Sequence, residues 1–284
     1  MKRIFFTYSL LLFPLLLWGQ SYNFQHYSLG EGLPQSQVYA LLQDRLGYIW
    51  MGTQGGGLSR FDGTRFQTFN SRDGLLGNYI NTLFEDRRGR LWIGSRQGLS
   101  IFDGRSIGPF APLAERIPKT PVHCICELPS GRLFVGAQVG GWAIDPVTNE
   151  LEEWLEGPVS ACAIDSAGRL WAGTKQGLLL RKAGMWEEAL TENKFAGSSI
   201  TRIYPEADGR LWVAFFGKGL VETGKDSLQV RKGEQGLGEA LILDILRGPD
   251  GKLWLATQDR GLLAWRPGEG VSEQIYTGNG LLSN

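Results

Sequence analysis

Three cysteines, two histidines and three methionines are all that 284 residues supply. So few soft or imidazole groups leave little material for a metal centre or for histidine catalysis. His26 and His123 do not recur with any pattern, no C-x-x-C pair occurs, and an odd cysteine count excludes a fully paired disulfide framework. Charge of one sign is missing too: 29 Lys and Arg stand against 29 Asp and Glu. A nucleic-acid binder normally carries a basic excess or stripe, so that class is set aside. No Ser/His/Asp arrangement is legible, which removes the simplest case for an enzyme. No cofactor and no metal are expected.

Long apolar runs are absent after Trp18, so no later segment is long enough to span a membrane. Before it, Lys2 and Arg3 precede an apolar stretch from Ile4 to Trp18, with Gly19 as a small residue for cleavage. The plain alternative is a membrane anchor, but the stretch is short for a span of about 20 residues. Residues 1–19 therefore read as a signal peptide, and the chain as exported to the periplasmic, extracytoplasmic side. No cysteine follows it, so no lipid attachment site is present.

What the chain has in quantity is glycine and tryptophan, 40 and 10 residues. Glycine serves tight turns, and large aromatics fill pleated, half-buried surfaces. The two coincide in a repeated Gly-x-(Leu/Ile)-aromatic motif. It ends at Trp50, Trp92, Phe134, Trp171, Trp212 and Trp254, at spacings of 42, 42, 37, 41 and 42. Each copy reads as four strands, A to D, separated by turn residues every six to eight positions, which leaves no room for helices. A four-stranded sheet cannot bury both faces alone, whereas radial stacking lets each sheet cover its neighbour. The fold expected is all-β, a β-propeller with six repeats present and a seventh truncated.

The blades fall at about 33–70, 75–110, 120–155, 157–190, 197–231 and 238–276, within a propeller domain of 20–284. The aromatic of strand B is expected to fill each wedge between blades, contributing roughly 2–3 kcal/mol per ring. Asp44, Asp86 and Asp165 share one position in the A–B turn, where Leu128, Glu206 and Gly248 stand in the other copies. A position that tolerates Leu and Gly is a turn device held by side-chain-to-backbone bonds rather than a catalytic carboxylate. Phe24–Tyr27 copies strand D (Phe66–Phe69), so residues 22–28 are expected to be a closing strand. Residues 280–284 copy the entrance to blade two. The chain is therefore expected to be an N-terminal fragment, with blade faces left open.

Cys124 and Cys126 alternate on one face of a strand. Cys162 lies in the matching strand of the next copy, one position out of phase. They can face one another across a blade seam. A single disulfide and three small buried thiols both remain open, the second being the plainer reading.

The D–A and B–C loops of a propeller share one end of the ring, and loops on rigid scaffolds concentrate function. The D–A loops offer Gln35, Ser36, Asn78, Tyr79, His123, Ser160, Ser199 and Glu239. The B–C loops offer Gln54, Arg96, Gln97, Gln138, Lys175, Gln176, Lys218, Asp259 and Arg260. The ligand-binding candidates are Gln35, Gln54, Asn78, Tyr79, Arg96, Gln97, Gln138, Lys175, Gln176, Lys218 and Arg260. Amide and cationic groups suit a polar or anionic ligand such as an acidic sugar. The bland alternative is that each is simply a solvated loop residue.

The repeat resembles the two component regulator propeller family. The residues that carry the likeness are Gly32-Leu33-Pro34, Val38–Asp44, Gly47–Thr53 and Gly57–Gly63, repeated in register across residues 24–284. Blade three departs from the pattern at Phe134, and blade five has Ala214-Phe215 where Gly-Thr is usual. The resemblance implies the extracytoplasmic input domain of a bacterial sensor histidine kinase or hybrid two-component system. It implies a small-molecule or glycan ligand, and a membrane span, a homodimer contact and any kinase activity in sequence beyond these residues. This chain itself would not be an enzyme. The rival readings are a secreted propeller that serves as a protein- or glycan-binding platform and, less favoured, a propeller lyase or quinone-dependent dehydrogenase.

Overall fold

The computed structural model describes residues 24–110, 119–189, 197–223, 228–230, 237, 240–278 and 281. The expected signal peptide (1–19), the start of the closing strand, Glu239 and most of the seventh-blade entrance lie outside the described residues.

Twenty-four strands form six antiparallel sheets of four, each in simple meander order. Blade one holds β1 to β4 (Val38–Gln43, Ile49–Thr53, Leu58–Phe61, Phe66–Phe69), and blade two β5 to β8 (Ile80–Glu85, Leu91–Ser95, Gly98–Phe102, Ile107–Pro109). Blade three holds β9 to β12 (Val122–Glu127, Leu133–Ala137, Gly140–Ile144, Leu151–Glu156). Blade four holds β13 to β16 (Val159–Ile164, Leu170–Thr174, Gly177–Lys182, Met185–Glu188). Blade five holds β17 to β20 (Ile200–Pro205, Leu211–Phe215, Gly219–Thr223, Leu228–Val230), and blade six β21 to β24 (Ile242–Arg247, Leu253–Thr257, Leu262–Arg266, Gly270–Ile275). The first strands pack in series, β1 on β5, then β9, β13, β17 and β21, so they line the centre. The only helices among the described residues are two single 3-10 turns, Leu29–Glu31 and Ser71–Asp73.

Each motif residue has a physical task. The carboxylate of the A–B turn does more than hold its own turn. Asp86 Oδ1 accepts from the backbone N–H groups of Arg88 and Arg90, and its Oδ2 accepts from the Trp92 indole at 2.9 Å. Asp44 takes the Trp50 indole at 2.7 Å, Asp165 the Trp171 indole at 2.9 Å and Glu206 the Trp212 indole at 2.8 Å. A buried indole N–H left without an acceptor is costly, and the carboxylate removes that cost in these four blades. Blade three has lost both members, carrying Leu128 and Phe134. Burial alone would raise the Asp86 carboxyl, but bonds from Trp92 and Arg90 outweigh it and hold it below its ordinary value. Asp165 is held low in the same way by Trp171 and Arg169.

The glycine of the W-x-G-T motif is a packing requirement. A Cβ on Gly94 would press into Val122 of blade three at 2.8 Å, and one on Gly173 would meet Ile200 of blade five at the same distance. The inner strand of each following blade seats there. The hydroxyl that follows donates to the B–C loop: Thr53 to Gly57 O at 2.8 Å, Ser95 to Gly98 O at 3.0 Å and Thr257 to Gly261 O at 2.7 Å.

Five of the six motif aromatics are buried as expected, Trp50, Trp92, Phe134, Trp171 and Trp212. Each packs on the blade that follows it; Trp50, for example, clusters with Ile80, Leu91 and Ile93. Trp254 departs from that expectation. It is half-buried and lies outside the clusters, because among the described residues no blade is set against its face of blade six. Its register partner Leu246 is 65% exposed. The opposite open face belongs to blade one, where Leu41 is 70% exposed.

Residues 24–28 form no strand of any sheet, so the expected closing strand is absent over its described part. The segment nevertheless occupies the equivalent place. Tyr27 packs on Phe61 at 4.9 Å, matching the contact of Phe69 with Phe102 one period later at 6.1 Å. The turn that enters each blade also recurs. Leu33 N donates to Ser28 O, Leu75 N to Asn70 O and Leu281 N to Tyr276 O, all at 3.1–3.3 Å.

Candidate ligand-binding face

The D–A and B–C loops do share one end of the ring, and the seam between blades one and two brings four candidates together. The B–C loop of blade one is pinned by the Thr53 hydroxyl and by Gly55 N and Gly57 N, which donate to Asn78 O at 3.1 and 3.0 Å. Gln54 and Tyr79 form an isolated antiparallel bridge. Arg96 N donates to Tyr79 O at 3.0 Å, and the Arg96 guanidinium lies 4.5 Å from the centre of the Tyr79 ring. Gln97 turns in over Gly77, where any Cβ would collide with its amide. Its Oε1 is buried and accepts no bond from the protein. A pre-oriented cation and an aromatic ring therefore meet on one rim, with the buried Gln97 amide beneath it.

The remaining candidates divide. Asn78 is structural, since its Oδ1 accepts from Ser71 N at 2.9 Å. Gln35 turns back on its own loop, accepting from Ser36 N at 2.8 Å. Arg260 is held in place, donating to Leu237 O at 3.1 Å beside Asp259. Gln138 faces His123 across 3.2 Å, a pair on the second seam. Lys175, Gln176 and Lys218 are exposed on separate loops and are not gathered with the others. Ser160 lies inside β13, where its hydroxyl donates to Ile200 O of the next blade at 2.7 Å.

That bond belongs to a set the sequence reading missed. Asn81 donates to Val122 O at 3.0 Å, and Thr201 to Ile242 O at 2.7 Å. All three sit one position into an inner strand. The signal was a recurring polar residue there, visible only once the copies are aligned.

Clefts among the described residues also occur at the opposite end, near the A–B turns. One of about 190 Å³ is lined by Asp86, Arg87, Arg90, Glu127 and Asp145. Most of its charges face one another, Arg90 against Asp86 at 2.7 Å and Arg87 against Glu127 at 3.9 Å, with Arg88 also in the lining. Neutralised pairs of this kind present no net attraction to a charged ligand.

Residues 32–55 and 74–97 match the model of the two component regulator propeller. Blades one and two are thus similar to two component regulator propeller repeats over these stretches. The matched stretches contain the B–C loop candidates Gln54, Arg96 and Gln97 and the D–A candidates Asn78 and Tyr79. No curated protein sequence matches the chain. Among solved structures, the extracellular domain assigned to the hybrid two component system BT3049 of B. thetaiotaomicron superposes with a TM-score of 0.76 at 21% identity. The match covers 92% of this chain and 37% of that one. The corresponding domain of BT4673 gives 0.68 at 19% identity, over 84% of this chain and 33% of that one. The virginiamycin B lyase of Staphylococcus aureus gives 0.68 at 14% identity, with 85% of both chains covered. At these identities the likeness shows the propeller fold. The chain spans about a third of the length of the two B. thetaiotaomicron domains.

Proposed function

We propose that this propeller is an exported, ligand-sensing input module of two-component signalling. The observation that carries the reading is the rim formed by Gln54, Tyr79, Arg96 and Gln97. It is built on loops that the repeat itself pins, in the two blades that match the regulator family. The B. thetaiotaomicron domains with the same fold are described as extracellular domains of hybrid two component systems, which agrees with export. Among the described residues no helix is long and apolar enough to cross a membrane. Arg96 favours a carboxylate-bearing ligand, because a guanidinium makes charge-assisted bonds to that group.

The test is calorimetric titration of the full chain with carboxylated and neutral oligosaccharides. Saturable binding of the carboxylated set, weakened about tenfold or more in Arg96→Ala, supports the reading. Binding that ignores Arg96 but falls in Arg88→Ala places the ligand at the A–B turn end instead. Turnover of the sugar would move the protein to the lyase class.

A further inference from the structure

All three cysteines of the chain meet at one seam. In every blade the residue paired with the strand-B aromatic faces the next blade. The residue before it faces the blade behind. Cys126 pairs with Phe134 and Cys124 with Gly136, so both look forward from blade three. Cys162 pairs with Ala172 and looks back from blade four. Phe134, Val159 and Leu170 close the cluster, and the Cys162 thiol lies within hydrogen-bonding reach of both other thiols. At seam one–two the same three positions hold Ala40, Leu42 and Leu83; at seam four–five they hold Ala161, Ala163 and Ile203. Thiols fill all three only here.

We propose that this seam is a covalent modification site, at which Cys162 forms a disulfide with either Cys124 or Cys126 and the third thiol can take over the bond. Cys124 and Cys126 cannot pair with each other. Two residues apart on one strand face, they are separated by about 6.6 Å, whereas a disulfide requires roughly 3.5–4.5 Å between Cβ atoms. Cys162 lies opposite both. The oxidant is a small-molecule disulfide of the glutathione class. One protein thiolate attacks it, forming a mixed disulfide and releasing a first glutathione thiolate. The thiolate across the seam then attacks the protein sulfur, closing the bond and releasing a second. Two protein thiols lose two electrons and two protons, and the glutathione disulfide becomes two thiols. Burial pushes the Cys124 and Cys162 thiols well up, so exchange is slow once the seam is packed and the bond forms as the chain folds.

The experiment is to refold the full chain in a mixture of oxidised and reduced glutathione, unfold it directly into denaturant containing excess iodoacetamide so that every free thiol is labelled, and map the peptides. The expected product carries a single alkylated cysteine, divided between Cys124 and Cys126, with Cys162 protected. Cys162→Ser leaves both others alkylated, while Cys124→Ser and Cys126→Ser each leave none. Reduction of the wild-type product lowers its thermal midpoint by roughly 5–10 °C. Three alkylated cysteines in the refolded wild-type chain, or a bond joining Cys124 to Cys126, overturn the proposal. Secretion into a bacterial periplasm with alkylation during denaturing lysis gives the same readout without refolding.

Discussion

The seam between blades one and two and the forward face of blade six are built from the same repeat and end differently. At the seam, Trp50 is 1% exposed, ties its indole to Asp44 and packs at 5.3 Å on Phe102 of the next blade. On blade six, Trp254 holds the same register beside Leu246, yet it is only half-buried, no blade among the described residues packs on it, and Gly248 supplies no carboxylate. Strand pairing within a blade is local and survives either way. Burial of the aromatic depends wholly on a neighbouring sheet, as it does in other repeat architectures.

The contrast is broken most directly by truncating its aromatics. Trp92→Ala should cost about 3–5 kcal/mol in denaturant unfolding, because a fully buried ring and its indole bond are both lost. Trp254→Ala should cost less, about 1–2 kcal/mol, since that ring is only half-buried and no carboxylate of its turn takes the indole. Equal losses at the two sites would mean that the blade-six face is covered in solution.

The carboxylate–indole pairing gives the next largest effect. Asp86→Ala should destabilise by about 2–3 kcal/mol, leaving the buried Trp92 indole and the Nε of Arg90 without their acceptor. Blade three offers the reverse test. Phe134→Trp alone places an indole N–H opposite Leu128, whereas Phe134→Trp with Leu128→Asp restores the pair. A double-mutant cycle should show a favourable coupling of about 1 kcal/mol. Zero coupling would reduce the pairing to coincidence.

Close approach at the seam should rank just below. Gly94→Ala presses on Val122 and Thr82 and should cost about 1–2 kcal/mol by thermal unfolding. Ala256→Gly, the matching position on the open face of blade six, should change stability by less than that.

Acid should act on the turns more gently. Asp86 and Asp165 are held low, and the hairpin carboxyl of Asp62 is brought down to about 2 by Arg65 N–H, the Thr64 hydroxyl and Thr64 N–H. A depressed carboxyl stabilises the fold above its ordinary value near 3.8. That contribution is lost as pH falls through the folded value. The unfolding midpoint should therefore hold at neutral pH and fall between about pH 4 and 2. Asp86→Asn should flatten part of that fall.

Much of this was legible in the chain because a repeat repeats its physics. The six Gly-x-Leu-aromatic copies, the Asp-Gly hairpins and the missing helices determined the strand order, since each blade closes on itself within about 40 residues. The turn role of Asp44, Asp86 and Asp165 followed from the Leu and Gly that replace them. The indole that each carboxylate also holds was hidden, because Asp86 and Trp92 meet only when two strands pair.

The candidate site was less legible. The repeat placed eleven polar side chains on loops at one end of the ring, but it could not distinguish Asn78, spent on Ser71 N, from Arg96, poised over Tyr79. Loop position follows from chain order, whereas side-chain availability depends on which backbone groups lie within about 3 Å. The sequence by itself determined the blades, their register and the aromatics that fill them, because pairing and turn chemistry act between near neighbours in the chain. Which of those aromatics is buried, which rim residues converge and which thiols face one another was decided by the packing of one blade on the next, across some forty residues of intervening chain.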